Sequence, residues 1–167
     1  MIQKELIDDL QLKWGRIQQA MQAQHADACL LSVDVNLYYT TGRIFSGYFY
    51  LPAEGAPWFF VKRPNGLTDD HIEYIRKPEQ IAEIFAARGI PMPEKLLLEA
   101  DELTYNDYIR LQSIFNPKET GNATALMRTL REIKTPWEIS QFRKTCQDIL
   151  GNYRMFPSGN DRPRISV

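Results

Sequence analysis

The 167 residues suffice for one domain with a sizeable core and are too few for two full domains with a cleft between them. The composition, 44% hydrophobic, 11% aromatic and 25% charged, is that of an ordinary soluble globular chain. A net charge of -1 denies the chain the electrostatic footprint of a nucleic-acid or anionic-membrane binder, and no apolar run approaches the roughly 20 residues of a bilayer span. The first residues, MIQKELIDDLQLKW, mix both signs of charge, so no secretory signal is expected there. Cys29 and Cys146 each fall in an apolar pattern, which predicts two buried free thiols and a reducing, cytoplasmic location.

The chain opens on a helix. Ile7, Leu10, Trp14, Ile17 and Met21 trace one stripe of a 3.6-residue period, with Lys4, Asp8, Lys13, Gln18 and Gln22 off it. The pattern runs out over 24–27, and Ala28-Cys29-Leu30-Leu31 reads as a strand buried on both faces. Asp34 is placed to cap a short helix over 35–40, and Gly42 to end it with positive φ. The apolar runs 47–51 and 57–61, separated by Pro52-Ala53-Glu54-Gly55-Ala56, predict an antiparallel hairpin.

Ile72, Tyr74 and Arg76 alternate as a further short strand. Pro78 opens a helix with Ile81, Ile84 and Phe85 on its apolar face, ended by Gly89. Residues 95–99 form another buried strand. Thr104, with Asp107 three residues on, starts a helix that Asn116-Pro117 stops, and 118–121 supply an edge strand. Two helices follow over 123–133 and 136–150. In the second, Thr135-Pro136-Trp137-Glu138 is a capping box with proline at the first helical position, and Ile139, Phe142, Cys146 and Ile149 form its apolar face. Residues 151–167 lose all periodicity and read as a tail. Strands alternating with helices, joined by a hairpin and by crossovers, predict a three-layer α/β domain with a mixed sheet.

Chemistry-bearing motifs are sparse. His25 and His71 stand in different elements, with no zinc-ligand spacing and no C-x-x-C around them. There is no G-x-G-x-x-G, P-loop or G-x-S-x-G, although Ser46 sits beside Gly47. The pairs Asp8-Asp9, Asp69-Asp70 and Asp101-Glu102 fall at helix ends or turns, where capping and solvation account for them. Asn122-Ala123-Thr124 matches a glycosylation sequon without the leader that would make it meaningful. Arg128, Arg131 and Lys134 read as a solvated or interdomain face. The segment 38–47, rich in aromatics and bracketed by Gly42 and Gly47, is the loop that could offer Arg43 and Phe45 to a ligand or partner.

Three features arrive in order: a first helix leading into Asp27-Ala28-Cys29-Leu30-Leu31, the segment Asn36-Leu37-Tyr38-Tyr39-Thr40-Thr41-Gly42, and the run Leu130-Arg131-Glu132-Ile133-Lys134-Thr135-Pro136-Trp137-Glu138-Ile139 with Phe142-Arg143 after it. Together they resemble the N-terminal domain of the creatinase/prolidase family of Xaa-Pro dipeptidases and aminopeptidases P. The resemblance spans roughly 5–150. It implies a three-layer α/β/α fold with a mixed sheet and an RNase H-like motif. The domain would cover 1–134, with a handover helix over 135–150 leading to a dinuclear-metal catalytic domain, and a tail over 151–167.

In that family two divalent ions (manganese, cobalt or zinc) are held by two Asp, one His and two Glu of the catalytic domain, none of which has a matching position here. The resemblance therefore implies no catalytic residues and no metal in this chain, which reads as an excised or truncated domain, inactive alone. It implies homodimerisation, and loops that overhang the partner subunit's active site and limit access to short proline-containing peptides. Carried onto this sequence, those contacts fall on Tyr39, Arg43 and Phe45. A stand-alone α/β module binding a small molecule is the alternative. An RNase H-like nuclease would need carboxylates converging on a metal, with Asp34 and Asp101 as the candidates.

Overall fold

The computed structural model describes residues 2–63, 66 and 69–153. They fall into two compact units, Met1–Ile133 and Lys134–Val167. In the first unit the elements are α1 (Ile2–Ala23), β1 (Ala28–Leu31), α2 (Asp34–Thr41), β2 (Gly47–Pro52), β3 (Trp58–Val61), β4 (Ile72–Tyr74), α3 (Gln80–Arg88), β5 (Lys95–Leu98), α4 (Tyr105–Phe115), β6 (Glu119–Asn122) and α5 (Ala123–Glu132). The strands form one mixed sheet in the order β4-β3-β2-β1-β5-β6. β1–β2 and β2–β3 are antiparallel pairs, while β1–β5, β5–β6 and β3–β4 are parallel pairs.

Alternation along each strand sends neighbouring side chains to opposite faces. Cys29 and Leu31, with Phe49, Leu51 and Leu97, meet Ile17 and Met21 of α1, Leu37 of α2 and Met127 of α5. Ala28 and Leu30, with Tyr50, Phe60, Leu96 and Leu98, meet Ile81 and Phe85 of α3 and Leu111 and Phe115 of α4. The sheet is thus covered on both sides, which is why β1 is apolar at every position and β5 from Leu96 onward. Each large side chain buried this way contributes about 1.5–3 kcal/mol. The second core is aromatic, with the Tyr50 and Phe85 rings 4.9 Å apart edge to face and those of Phe85 and Phe115 5.9 Å apart.

Most predicted elements are present, and the departures have local causes. The stripe of α1 is buried at Ile17 and Met21, but Ile7 is exposed. Lys13, expected to face water, is buried, with its ammonium 2.8 Å from Asp9 one turn back and over the Tyr39 ring at 4.7 Å. Asp9 is accordingly a buried ion-pair partner and not a solvated helix-end charge. His25 ends α1 in the left-handed conformation (φ 53), a role its side chain tolerates better than a branched one would. The fourth strand stops at Tyr74, short of Arg76, because the Gln80 Oε1 accepts the Arg76 and Lys77 N–H groups and turns the chain into α3.

The buried thiol of Cys29 is pushed from its ordinary value of 9.0 up to about 12, first by burial and then by the Glu99 charge, against the lowering effect of a backbone hydrogen bond at Leu51. Burial also raises Tyr50, helped by Cys29 and Asp27. Both groups are acids that the fold holds protonated, so their contribution to stability is complete below the unfolded values. It is lost as pH climbs from about 9 toward 12, at about 1.4 kcal/mol per pH unit for each group while it titrates in the unfolded chain alone. Urea unfolding from pH 8 to 11 checks the slope. At pH 8, a thiol reagent is expected to label Cys146 in the native protein and both cysteines only after denaturation.

In the second unit, α6 (Pro136–Tyr153) begins with the predicted capping box. The Thr135 N–H donates to Glu138 Oε2 (2.9 Å) and the Glu138 N–H to Thr135 Oγ1 (3.1 Å). Its apolar residues Ile139, Phe142 and Ile149 are exposed, and Cys146 is half-buried rather than buried as expected. The helix continues to Tyr153, beyond the break expected after 150, and residues 154–167 of the predicted tail lie outside the described residues. Among the described residues no helix is long and apolar enough to cross a membrane.

Candidate functional site

The strands β1 and β5 run parallel and side by side, yet their following helices go to opposite faces of the sheet, α2 to one and α4 to the other. A crevice opens beyond the carboxyl ends of such a strand pair, where ligands commonly bind in open α/β sheets. Glu99, directly after β5, is fully buried. Its Oε2 accepts the backbone N–H groups of Ser32 (2.6 Å) and Val33 (3.0 Å) and the Ser32 hydroxyl (3.2 Å), while its Oε1 accepts from Asn36 Nδ2 (2.6 Å).

This carboxylate supplies what the start of α2 lacks. Val33 occupies the N-cap position and offers no side-chain cap. Asp34, predicted as the cap, is instead the first helical residue and makes no such bond, because the helix begins one residue earlier and Glu99 takes the negatively charged position at its N-terminus. The sequence pattern marks Glu99 only as the end of a strand. A charged residue closing an apolar run was the available signal.

At its other end, α2 is locked by its own sequence. Thr40 and Thr41 place their hydroxyls 2.7 Å from the Asn36 and Leu37 carbonyl oxygens, and the Thr40 carbonyl accepts from the Trp14 indole at 2.7 Å. Gly42 then turns the chain with φ 69, its N–H bonded to the Tyr38 carbonyl. The segment from Asn36 to Gly42 is therefore a device for holding α2 and launching the loop over residues 43–46.

The three candidate contact residues separate here. Tyr39 is 6% exposed, its ring under Lys13 and its hydroxyl donating to the Leu130 carbonyl at 3.4 Å. Arg43 is exposed, and Phe45 is half-buried. Arg43 and Phe45 line a hollow of about 600 Å³ with Tyr38, Thr41, Phe59 and Ile72. Phe45 also forms part of a second hollow of about 440 Å³, which holds Ser32, Asp34, Ser46, Lys62 and Asp107. Tyr38, 60% exposed, faces outward where its neighbour Tyr39 faces in.

The model of the creatinase/prolidase N-terminal domain matches residues 13–133. The chain belongs to that family. It is 26% identical over 147 residues to an uncharacterized peptidase of Staphylococcus aureus, covering 81% of this chain and 40% of that protein, with a similar match in Staphylococcus saprophyticus. The chain thus spans about two fifths of the length of the curated relatives it matches.

Solved structures share the creatinase/prolidase N-terminal fold. A prolidase from Pyrococcus horikoshii superimposes with a TM-score of 0.64 at 22% identity, covering 81% of this chain and 39% of its own. A proline dipeptidase from Streptococcus pneumoniae gives 0.61 at 22% identity, covering 72% and 98%. The creatinase/prolidase N-terminal domain of an X-Pro dipeptidase from Streptococcus pyogenes gives 0.59 at 18% identity, covering 71% and 98%.

Among the described residues no three His, Cys, Asp or Glu side chains lie together in a way that could hold an ion. His71 packs against Trp58 with the rings tilted by 52° and their centroids 4.6 Å apart, and His25 sits in the turn after α1. Asp101 accepts from Asn122 Nδ2 at 3.0 Å, and Glu102 pairs with Arg128 at 2.9 Å. The sequon asparagine, Asn122, is engaged as the N-cap of α5.

Proposed function

We propose that this chain is the non-catalytic N-terminal part of a Xaa-Pro peptidase, acting in dimer assembly and in restricting access to an active site carried elsewhere. The observation that carries this reading is the family match over residues 13–133 in a chain that covers only 40% of its peptidase relatives. Those relatives are peptidases by name, and several of the similar structures are named as Xaa-Pro dipeptidases or prolidases. The parent enzyme would act on short proline-containing peptides, as a homodimer, with two divalent metal ions held outside the residues described. The loop with Arg43 and Phe45 is exposed and so suited to contact a partner subunit or its peptide. Two free cysteines fit a reducing, cytoplasmic setting.

The test is direct. The purified chain, given Xaa-Pro dipeptides and manganese, is expected to release no proline above a mock-purified control, and sedimentation is expected to reveal a dimer once the parent's catalytic part is fused to it. Turnover by the chain alone would overturn the assignment.

A further inference from the structure

At the amino ends of β1 and β5, a hollow of about 530 Å³ lies between the β2–β3 turn and the segment Ile90-Pro91-Met92-Pro93. It sits at the far end of β2 from Gly47 and the Arg43–Phe45 loop. We propose that this hollow binds a flat, uncharged nitrogen heterocycle whose edge carries a ring acceptor beside an amino group, as adenine and its nucleoside do. The ring nitrogen accepts from the Tyr50 hydroxyl, and the amino group donates to Asp27. The site stands apart from the peptidase reading and does not depend on it.

A buried phenol defines the site. Tyr50 pairs with Trp58 across β2 and β3, and both line the hollow. Tyr50 is only 3% exposed. Phe85 meets its ring edge to face at 4.9 Å, and Phe115 lies parallel to it at 6.2 Å, so the ring is held and its hydroxyl end is what it presents to the hollow. That hydroxyl makes no hydrogen bond among the described residues. Burial raises its pKa, so at neutral pH it is a donor. A donor fixed in this way gives a ligand acceptor a hydrogen bond with little further side-chain ordering.

The remaining wall selects what stands beside that acceptor. Asp27 accepts the Glu94 and Lys95 N–H groups on Oδ2, both at 2.8 Å, which fixes the carboxylate and leaves Oδ1 without a bond among the described residues. The Asp27 charge acts on the Tyr50 hydroxyl, so the two groups are neighbours. Together they offer a donor and an acceptor, the complement of a heterocyclic edge with a ring nitrogen and an amino group.

Charge disfavours anions here. Asp27 and Glu54 are acidic, no Lys or Arg lines the hollow, and His71 is packed against Trp58. Arg88, over the Trp58 ring at 5.3 Å, is already paired with Glu73. Pro52, Pro91 and Pro93 bring no N–H groups, and with Met92 they give a flat ring apolar walls. The volume falls within the range of pockets that enclose small ligands. A nucleoside is therefore favoured over its phosphate, which would meet the two carboxylates.

The experiment is a titration of the isotope-labelled chain with adenosine, followed by NMR shifts of the amide and indole N–H groups. Expected are saturable shifts at Asp27, Tyr50 and the Trp58 indole. Affinity is expected to fall about tenfold or more for the 1-deaza analogue, which lacks the acceptor, and for the 6-dimethylamino analogue, which lacks the donor. The 5′-monophosphate is expected to bind more weakly than adenosine. Tyr50→Phe is expected to bind adenosine no better than the unaltered chain binds the 1-deaza analogue, with a urea midpoint unchanged or higher because the hydroxyl has no protein partner to lose. The analogues probe the unaltered chain, so the outcome does not hang on how the variant folds. Absence of saturable shifts at millimolar adenosine, shifts centred elsewhere, equal binding of the analogues, tighter binding of the monophosphate, or a lower urea midpoint for Tyr50→Phe would each overturn the proposal.

Discussion

Replacing Glu99 with glutamine is expected to destabilise the first unit by about 2–4 kcal/mol, and with alanine by more. The carboxylate is fully buried and accepts from two backbone N–H groups, the Ser32 hydroxyl and the Asn36 amide. Glutamine keeps the size but turns an NH2 group toward donors, so at least one buried N–H loses its partner and the charge at the start of α2 disappears. Urea unfolding measures the loss. A double-mutant cycle with Asn36→Ala isolates the side-chain pair from the backbone contacts. Because the Glu99 charge helps to hold the Cys29 thiol high, the same variant is expected to shift alkaline labelling of Cys29 to lower pH. An unchanged urea midpoint would mean that the carboxylate does not anchor α2.

Gly47→Ala is the second large effect, about 3 kcal/mol or more. Gly47 opens β2 and pairs with Val61 of β3. A Cβ there would overlap the Phe60 carbonyl oxygen and come within 3.1 Å of the Phe45 ring. Backbone on one side cannot swing away as a side chain can, so the two strands must part just where the Arg43–Phe45 loop joins the sheet. Gly121→Ala is the control. Its new Cβ would meet only the end of the Leu97 side chain, and a cost of about 1 kcal/mol follows from modest overpacking. Equal costs for the two variants would refute the backbone overlap.

Periodicity marks the buried strands β1, β2, β3 and β5 and the long helices, because burial on two faces imposes a pattern that local composition carries. The capping box at Thr135 and the turn at Gly42 were legible for the same reason, since each is a short-range motif. Glu99, Asp9 and Lys13 were not. Their burial depends on partners brought in by tertiary packing, and a charged residue one position off a stripe reads as solvent-facing until its partner is known. Asn36 shows how the two levels meet. It belongs to the motif that signals the family, yet what it does, binding Glu99 from 63 residues away, emerges only in three dimensions.

The strand order also has a consequence for the growing chain. β1, β2 and β3 follow closely in sequence and pair with one another, so this meander can form soon after synthesis. The central strand β1 then has its other flank open until β5 and Glu99 are made, for only they complete the parallel pair and cap α2. A nascent chain in that interval carries an apolar strand, Ala28-Cys29-Leu30-Leu31, with one edge open, which is a template for misassociation between copies. The interval between the synthesis of β4 and that of β5 is when this edge lacks its neighbour.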